Sequence, residues 1–398
     1  MDTNATKPVF TWDDPLRFDD ELSDEERAMH EAATRFAQGE LAPLILKWHR
    51  DETFDRDLYK AYAELGILGG TLAGYDCPGL SHVAYGLVAR AFEHVDTAFR
   101  SAMGAHSGLA MAAIHNFGDE AQKQRLLPAM VRADLIGCFG LTEANHGSDP
   151  SGMETRARTV PGGYALSGNK NWITNAPIAD LAVVWARDDD RNIGAFIIER
   201  PYGSDVDGLA TPRIEGKFGM RASPTGQLMM DEVFVPAENR LPHVRGLGSA
   251  LACLSRARFV IAWGTMGSAA FCWQAARQYT LDRKQFGRPL AATQLVQRKL
   301  ADMQTDIALG LQAALRISRL ADEGRATPEM FSLVKRNNAG KALDIARVAR
   351  DMHGGNGIAD DYGVIRHVMN MEVVNTLEGT HDIHALVLGR AQTGLNAF

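Results

Sequence analysis

The chain has 398 residues, of which 45% are hydrophobic and 23% are charged, a balance typical of folded globular proteins. Its net charge of −7 argues against a general nucleic-acid binder, and the lack of any run of ~18 apolar residues argues against a transmembrane helix. The acidic start, MDTNATKPVFTWDDP, predicts no signal peptide. Four widely spaced cysteines predict reduced thiols, and with them a cytoplasmic protein, rather than a disulfide framework.

Three regions follow one another along the chain. Residues 1–137 are predicted to be mainly helical, and SDEERAMHEAATRFAQGELA begins with Ser23 as a helix cap. Residues 138–245 contain short apolar runs between turn residues, which predict strands. These runs are YALSG, LAVVWAR, IGAFIIER and QLMMDEVFVP.

Residues 246–398 return to a helical period. In KALDIARVARDM, apolar residues at helical spacing form one stripe: Ala342, Ile345, Ala346, Ala349 and Met352. The order of helices, strands and helices excludes a doubly wound nucleotide-binding fold, in which strands and helices alternate. GGNG at 354–357 predicts by itself only a glycine-rich turn that ends a helix.

The segment AFEHVDTAFRSAM carries opposite charges seven residues apart, at Glu93 and Arg100. On a single helix the two side chains would share a face, roughly 10 Å apart. Without further context, this spacing predicts that Glu93 and Arg100 form an exposed charge pair.

Two segments of the middle region could contact a ligand. CFGLTEANHGSDP offers hydroxyls at Thr142 and Ser148 among small residues, although such a loop can equally be a surface turn. NKNWITNA places Trp172 before Ile173 and Thr174. This pattern is typical either of a strand in the core or of a segment that packs against a flat ring of a ligand.

Two further segments lie in the helical C-terminal region. In LDRKQFGRPLAATQLVQ, Arg283 could bind a pyrophosphate through its planar fork or be a surface charge. In NTLEGTHDIHALVLGRA, Glu378 stands beside Gly379, which lets another molecule approach closely. The nearby His381, Asp382 and His384 could suggest a metal, but three clustered ligands do not define a site, and we expect none.

Taken together, these segments resemble the acyl-CoA dehydrogenases, and best the glutaryl-CoA dehydrogenases, over nearly the whole chain. The resemblance implies an N-terminal α-helical domain, a middle β-barrel or sheet domain and a C-terminal four-helix bundle. It also implies FAD as cofactor, an acyl-CoA substrate, an electron-transfer flavoprotein as partner and a homotetramer built as a dimer of dimers.

The resemblance assigns roles to residues in the motifs quoted above. Glu378 is the expected catalytic base, because desaturation needs one positioned carboxylate for the α-proton. The expected substrate-binding residues are Glu93, Arg100, Ser101, Ser148, Arg258 and Gly379, with Arg258 on the CoA side. The expected FAD-binding residues are Phe139, Leu141, Thr142, Gly147, Ser148, Trp172, Ile173, Thr174, Arg283, Phe286, Gln294, Asp351, Gly354, Gly355, Thr380 and Asp382.

Four positions depart from the pattern of the family. Ala144 replaces the usual proline of the flavin loop, and His353 replaces an apolar residue. Gly104 replaces a serine four residues after the carboxylate-binding arginine, and Leu377 replaces a tyrosine before the base. The last two changes remove hydrogen-bonding groups near the substrate, which puts decarboxylation in doubt.

The sequence therefore predicts FAD-dependent α,β-oxidation of a short dicarboxylyl-CoA, first of all glutaryl-CoA, with decarboxylation to crotonyl-CoA. One alternative is a homologue with a non-decarboxylating or atypical outcome, or one that acts on another dicarboxylyl-CoA. Another is a non-catalytic protein that binds flavin or acyl-CoA.

Overall fold

The computed structural model describes residues 9–397 of the chain. Within them, seven α-helices precede the main sheet, as the sequence predicts. They are α1 (Asp24–Phe36), α2 (Ala42–Asp51), α3 (Leu58–Glu64), α4 (His82–Val95), α5 (Thr97–Gly104), α6 (Ala112–Phe117) and α7 (Glu120–Val131). At the start of α1, the Ser23 hydroxyl accepts from the Glu26 backbone and the Glu26 carboxylate accepts from the Ser23 backbone. This capping box confirms the predicted helix start.

Irregular segments interrupt the helical region. A short hairpin pairs β1 (Ala73–Gly74) with β2 (Cys77–Pro78). Wide π-helical turns at Ala37–Leu41 and Ala105–Met111 continue α1 and α5 into the helices that follow. Such turns are rare and often lie at functional sites.

The middle region forms a seven-stranded sheet. Its strands are β3 (Gly137–Gly140), β4 (Arg156–Val160), β5 (Gly163–Thr174), β6 (Leu181–Arg187), β7 (Ile193–Glu199), β8 (Leu209–Ala210) and β9 (Thr225–Pro236). The strand order is β3-β6-β4-β5-β9-β8, and β7 pairs with β6. The four apolar runs named above lie in β5, β6, β7 and β9, which confirms the strand predictions.

The C-terminal region is helical except for one hairpin. Its elements are α8 (Leu247–Asp282), β10 (Lys284–Gln285), β11 (Arg288–Pro289), α9 (Gln294–Asp322), α10 (Pro328–Met352), α11 (Val364–Thr376) and α12 (His381–Thr393). The predicted apolar stripe of α10 is buried from Ala342 to Met352. The predicted order of helical domain, sheet domain and helical bundle is thus confirmed. The boundaries at residues 137 and 245 stay predictions.

The three regions share apolar cores. One core joins the N-terminal helices to α8, α9 and α10, and another joins α6, α7 and the start of α8 to β3, β6 and β7. Helix α8 therefore contacts both other regions.

The cysteines are all free, with Cys138, Cys253 and Cys272 buried and Cys77 partly buried. Among residues 9–397, no helix is long and apolar enough to cross a membrane.

Candidate active site

Glu378 lies in the short turn between α11 and α12, in a backbone conformation that few residues adopt. Its φ is 52°, and that of Gly379 is 99°. A Cβ atom at position 379 would lie 2.9 Å from Nε2 of His384, so only glycine fits there without displacing the histidine. The Glu-Gly pair noticed in the sequence therefore reflects a strained, tightly packed turn, and such strain is common at functional sites.

The Glu378 carboxylate has no direct partner. Its Oε2 atom is buried and accepts no hydrogen bond from residues 9–397, and within that range Glu378 forms no ion pair. Burial raises the pKa of Glu378 above its ordinary value, while Arg100, Arg258 and Lys335 act in the opposite direction. The result is a carboxylate that is more basic than usual and free to accept a proton.

Two cations hold the backbone around Glu378. Arg258 donates from Nε to the Glu378 carbonyl oxygen at 3.1 Å, so the arginine expected on the CoA side also contacts the turn itself. Lys335, from α10, is fully buried and donates from Nζ to the carbonyl oxygens of Val374, Leu377 and Gly379 at 3.0, 3.1 and 2.9 Å.

Lys335 was not among the predicted site residues, although its position in the sequence carries a signal. In FSLVKRNNAGKALDI, the lysine falls four residues after Phe331 and seven before Ala342, on the apolar face of the helix. A charge in that position requires buried hydrogen-bond acceptors.

Glu93 and Arg100 are buried and in direct contact, which corrects two sequence-based interpretations. They do not share a helix, because α4 ends at Val95 and the extended Asp96 begins α5. The Nε atom of Arg100 donates to Glu93 Oε2 at 2.5 Å, and the two side chains are 3% and 0% exposed. The pair is therefore neither two helical turns apart nor a surface pair.

The Glu93–Arg100 pair leaves one donor free. Nη2 of Arg100 is buried without a hydrogen-bond partner among the described residues. The Glu93 carboxylate is meanwhile held by the Thr97 hydroxyl at 3.0 Å. A Cβ atom at Gly264, on α8, would overlap Oε2 of Glu93, so the glycine makes room for the pair. An unpaired buried guanidinium nitrogen is costly, and an acceptor group of a ligand would satisfy it.

Empty space lies one helical turn beyond Arg100. Gly104 is buried, yet a Cβ atom added there would meet no atom within 4 Å. The neighbouring Ser101 is 8% exposed. A buried glycine whose missing side chain would meet nothing lines a cavity, and this cavity adjoins the Arg100 helix.

A buried network ties the Arg100 helix to the helix that precedes Glu378. Asp96 caps α5 by accepting from the Ala98 backbone at 2.8 Å. It also accepts from Arg366 Nε at 3.0 Å and from Asn370 Nδ2 at 2.8 Å, both on α11. The sequence analysis missed this network, because its members are about 270 residues apart.

The two segments expected to line the flavin ring come together in the middle region. The loop after β3 contains buried Leu141 and exposed Ser148, and its Thr142 carbonyl accepts from the Asn171 backbone at 2.8 Å. Beside Asn171, Trp172 has a φ of 61° at an irregularity in the β5–β9 pairing and is 59% exposed. Trp172 is therefore a surface aromatic, not a core residue.

A buried ion pair fixes the loop after β3. Glu143 accepts from Lys170 Nζ at 2.8 Å and from the backbones of Glu154 and Thr155 at 2.6 and 2.9 Å. Burial acts to raise the pKa of Glu143, but these hydrogen bonds outweigh it and lower the pKa to about 2. Lys170 also donates to the Leu141 carbonyl at 3.0 Å. This pair was not predicted from the sequence.

The remaining residues expected to bind FAD lie elsewhere. Phe139 and Ile173 are buried, Thr174 is partly buried and Gly147 is exposed. The Thr380 hydroxyl accepts from the Ile383 backbone at 3.1 Å and caps α12, with exposed Asp382 in the first turn. In residues 9–397, no group of three or more His, Cys, Asp or Glu side chains is placed to hold a metal.

The segments expected at the adenylate half of FAD lie at one end of the helical bundle and are exposed. Phe286, at the tip of the β10–β11 hairpin, is completely exposed. Arg283 and Gln294 are also exposed. At the end of α10, Gly354 and Gly355 are also exposed.

Contacts between side chains hold these two segments at the same end of the bundle. Asp351 forms an ion pair with Lys299 at 2.6 Å, which connects the end of α10 to α9. His353 stacks on Tyr279 of α8 with 4.3 Å between ring centroids, so it packs as a flat ring in place of an apolar side chain.

The chemistry of these segments fits a flat dinucleotide cofactor. Trp172 offers an open aromatic face, Gly147 leaves its backbone uncovered, and Arg283 forms no ion pair within residues 9–397. An aromatic wall, accessible backbone N–H groups and a guanidinium are the groups that hold a flavin ring and a pyrophosphate.

Comparison with known proteins shows the family of the chain. The sequence matches the acyl-CoA dehydrogenase N-terminal domain at residues 23–134, the middle domain at 138–233 and the C-terminal domain at 244–393. It is 32% identical over 396 residues to the mitochondrial isovaleryl-CoA dehydrogenase of Solanum tuberosum, covering 97% of this chain and 94% of that protein.

Solved structures agree over the full length. The structure of glutaryl-CoA dehydrogenase from Mycobacterium smegmatis is 43% identical, with a TM-score of 0.94 over 98% of this chain and 100% of that one. A glutaryl-CoA dehydrogenase from the same organism in complex with FADH2 is 39% identical, with a TM-score of 0.94 over 97% and 99% of the two chains. The chain belongs to the acyl-CoA dehydrogenase family and is an oxidoreductase that acts on CH–CH groups with FAD as its cofactor.

Proposed function

We propose that the protein oxidises a short dicarboxylyl-CoA, glutaryl-CoA first of all, at its α,β bond. The observation that carries this proposal is the free, buried Nη2 atom of Arg100, on the same helix as the empty space at Gly104, one turn away. A carboxylate at the far end of the acyl chain would pair with that nitrogen. The methyl end of a fatty acyl chain would leave it unsatisfied, at a cost of about 1–3 kcal/mol.

Glu378 is the proposed base that removes the α-proton. Its free, buried oxygen and raised pKa suit proton transfer near neutral pH. FAD supplies the acceptor for the hydride that leaves the β-carbon. Glu93 holds Nε of Arg100 so that Nη2 faces the substrate, and the cavity at Gly104 gives the acyl chain room.

The remaining substrate and cofactor residues follow from the family pattern. Ser101, Ser148, Arg258 and Gly379 are proposed to contact the acyl-CoA. Phe139, Leu141, Thr142, Gly147, Ser148, Trp172, Ile173, Thr174, Thr380 and Asp382 are proposed to hold the flavin ring and its ribityl chain. Arg283, Phe286, Gln294, Asp351, Gly354 and Gly355 are proposed to hold the adenylate half.

The fate of the distal carboxylate is the open part of the proposal. After loss of the α-proton and the β-hydride, the distal carboxylate can be retained in an unsaturated dicarboxylyl-CoA. It can also leave as carbon dioxide, and the electron pair of the broken bond then takes a proton at the γ-carbon, for which protonated Glu378 is the proposed donor, to give crotonyl-CoA. Gly104 and Leu377 provide no hydroxyl where a serine and a tyrosine are usual. We therefore propose that the enzyme forms a mixture of products, in which unsaturated dicarboxylyl-CoA that keeps its distal carboxylate accompanies crotonyl-CoA.

A branched acyl-CoA is the second candidate substrate, because a relative with 32% identity is an isovaleryl-CoA dehydrogenase. A branched alkyl end would fill the space at Gly104. It would still leave Nη2 of Arg100 buried without a partner, which favours the dicarboxylyl substrate.

The exposed adenylate-binding segments support a homotetramer in which neighbouring subunits cover one another's cofactor. Phe286 is fully exposed in the single chain, as expected for a residue that packs against another subunit. We further propose an electron-transfer flavoprotein as the acceptor and a cytoplasmic location, the latter from the free thiols.

Anaerobic titration of the purified yellow protein tests the proposal. Glutaryl-CoA should bleach the flavin absorbance faster than butyryl-CoA or isovaleryl-CoA, and mass spectrometry should then identify the products. Faster bleaching by isovaleryl-CoA would favour the branched substrate. If no acyl-CoA bleaches the flavin absorbance, the result would favour a non-catalytic protein that binds flavin or acyl-CoA.

A further inference from the structure

Lys335 occupies a position that its chemistry would ordinarily exclude. It is fully buried on α10, between the helical core and the turn that carries Glu378. A buried ammonium group is unfavourable unless each of its hydrogens finds an acceptor. Here all three do, at the carbonyl oxygens of Val374, Leu377 and Gly379.

These carbonyl groups need a donor from outside their own helix. The last carbonyls of a helix have no intrahelical partner, and α11 ends at Thr376. The Glu378 carbonyl accepts from Arg258, so three successive carbonyls, at 377, 378 and 379, each face a cation. The two cations therefore fix the chain direction where Glu378 and Gly379 have positive φ.

We propose that Lys335 is the positioning residue of the catalytic turn, holding the backbone of Glu378 and placing a positive charge near its carboxylate without pairing with it. This inference rests on the proposed function, because it takes Glu378 to be the base. Since Lys335 uses its three hydrogens on carbonyl groups, none remains for the carboxylate. The oxygen of Glu378 that takes the proton stays free, whereas a direct ion pair would have to break during the reaction.

The charges around the turn come from four elements. They are Arg100 on α5, Arg258 on α8, Lys335 on α10, and His381 and His384 on α12. Burial lowers the pKa of His384 to about 3, and it also lowers that of His381, so both are neutral at pH 7.

Lys335 can lose its proton in the working range of pH. Burial lowers the pKa of Lys335 to about 7, while Glu378 acts to raise it. Its three carbonyl acceptors also favour the ammonium form.

The test compares Lys335→Met with Lys341→Met in the FAD-loaded protein. Lys341 lies on the same helix but is exposed and paired with Asp306 at 3.2 Å. In Lys335→Met, kcat for glutaryl-CoA should fall ~10-fold or more, because the base is no longer fixed. The dissociation constant of a CoA ligand and the FAD content should stay within ~3-fold of the wild type.

The pH profile separates positioning from a merely structural role. Lys335 lowers the pKa of Glu378, so its loss should raise that pKa and move the acid limb of kcat/KM to higher pH. Hydrogen exchange in residues 374–380 should also become faster, without any need for a substrate. Lys341→Met should match the wild type in all five measurements.

Lys335→Arg keeps the positive charge but changes the geometry of the hydrogen bonds. This variant provides the test if Lys335→Met does not fold. Its acid limb should stay near that of the wild type while kcat falls, because a planar guanidinium cannot reach the same three oxygens. An unchanged kcat and an unchanged acid limb in either variant would overturn the positioning role. A wild-type flavin that no acyl-CoA reduces would instead overturn the proposed function.

Discussion

The two ends of the proposed site differ in how completely one chain builds them. At the acyl end, Arg100, Lys335 and the Oε2 atom of Glu378 are buried, and interactions from four helices fix these residues. At the adenylate end, Arg283 and Phe286 are exposed in the single chain.

Because of this difference, we expect variants at the two ends to affect different properties: the reaction rate at one end and FAD binding at the other. Changes at the acyl end should alter proton removal or substrate choice while FAD stays bound. Changes at the adenylate end should alter FAD affinity and assembly, while a subunit supplied with excess FAD keeps its chemistry.

The largest effect is expected when the base is removed. Glu378→Gln keeps the shape of the side chain but cannot take a proton, so turnover should fall by ~10²-fold or more. FAD content and CoA-ligand affinity should be normal. Glu372→Gln, on α11 and paired with Arg347 at the surface, is the matched control. Flavin reduction by Glu378→Gln at nearly the wild-type rate would place the base elsewhere.

A substitution at the adenylate end should change the affinity for FAD rather than the reaction rate. Arg283→Met should weaken FAD binding by ~10-fold, since it removes a charge-assisted contact worth about 1.5–3 kcal/mol. With saturating FAD, its rate of flavin reduction should approach that of the wild type. Arg298→Met, at an exposed ion pair on α9, should keep its FAD.

Light scattering adds an independent measurement for the adenylate end. The wild type should be a tetramer, because the exposed segments are proposed to complete a neighbour's cofactor site. A monomer that retained FAD would contradict the idea of a shared site.

The smallest effect is expected at the cavity. In Gly104→Ser, the new side chain meets nothing within 4 Å at its Cβ and adds a hydroxyl one turn from Arg100. Serine also suits a helix better than glycine, so stability should not fall. Glutaryl-CoA should bind up to ~10-fold more tightly, and the fraction of crotonyl-CoA should rise. An unchanged product mixture in mass spectrometry would mean that the missing serine does not decide the outcome.

Sequence reasoning found what lies in local motifs. The helical and strand regions, the Ser23 cap and the apolar stripe of α10 follow from short-range periodicity, and the structure confirms them. Glu378 and Arg100 were predicted as site residues from family motifs rather than from physical properties, because a lone acid or a charge pair usually lies on the surface. Their roles stay predictions.

The rest depends on contacts between distant parts of the chain. The direct Glu93–Arg100 contact requires the break at Asp96, which a pattern of seven-residue spacing does not reveal. Lys335 and the Glu143–Lys170 pair become meaningful only when their acceptors are known. Burial and orphaned hydrogen-bond groups are tertiary properties, and one sequence does not encode them locally.

The central claim is that Arg100 selects a distal carboxylate, and the rate of anaerobic flavin reduction tests it most directly. In the wild type, glutaryl-CoA should reduce the flavin at least ~10-fold faster than butyryl-CoA. The double variant Glu93→Gln/Arg100→Met removes the charge without stranding Glu93, and it should lose or reverse that preference while it retains FAD. Equal rates for the two substrates in the wild type, or an unchanged preference in the double variant, would contradict the account.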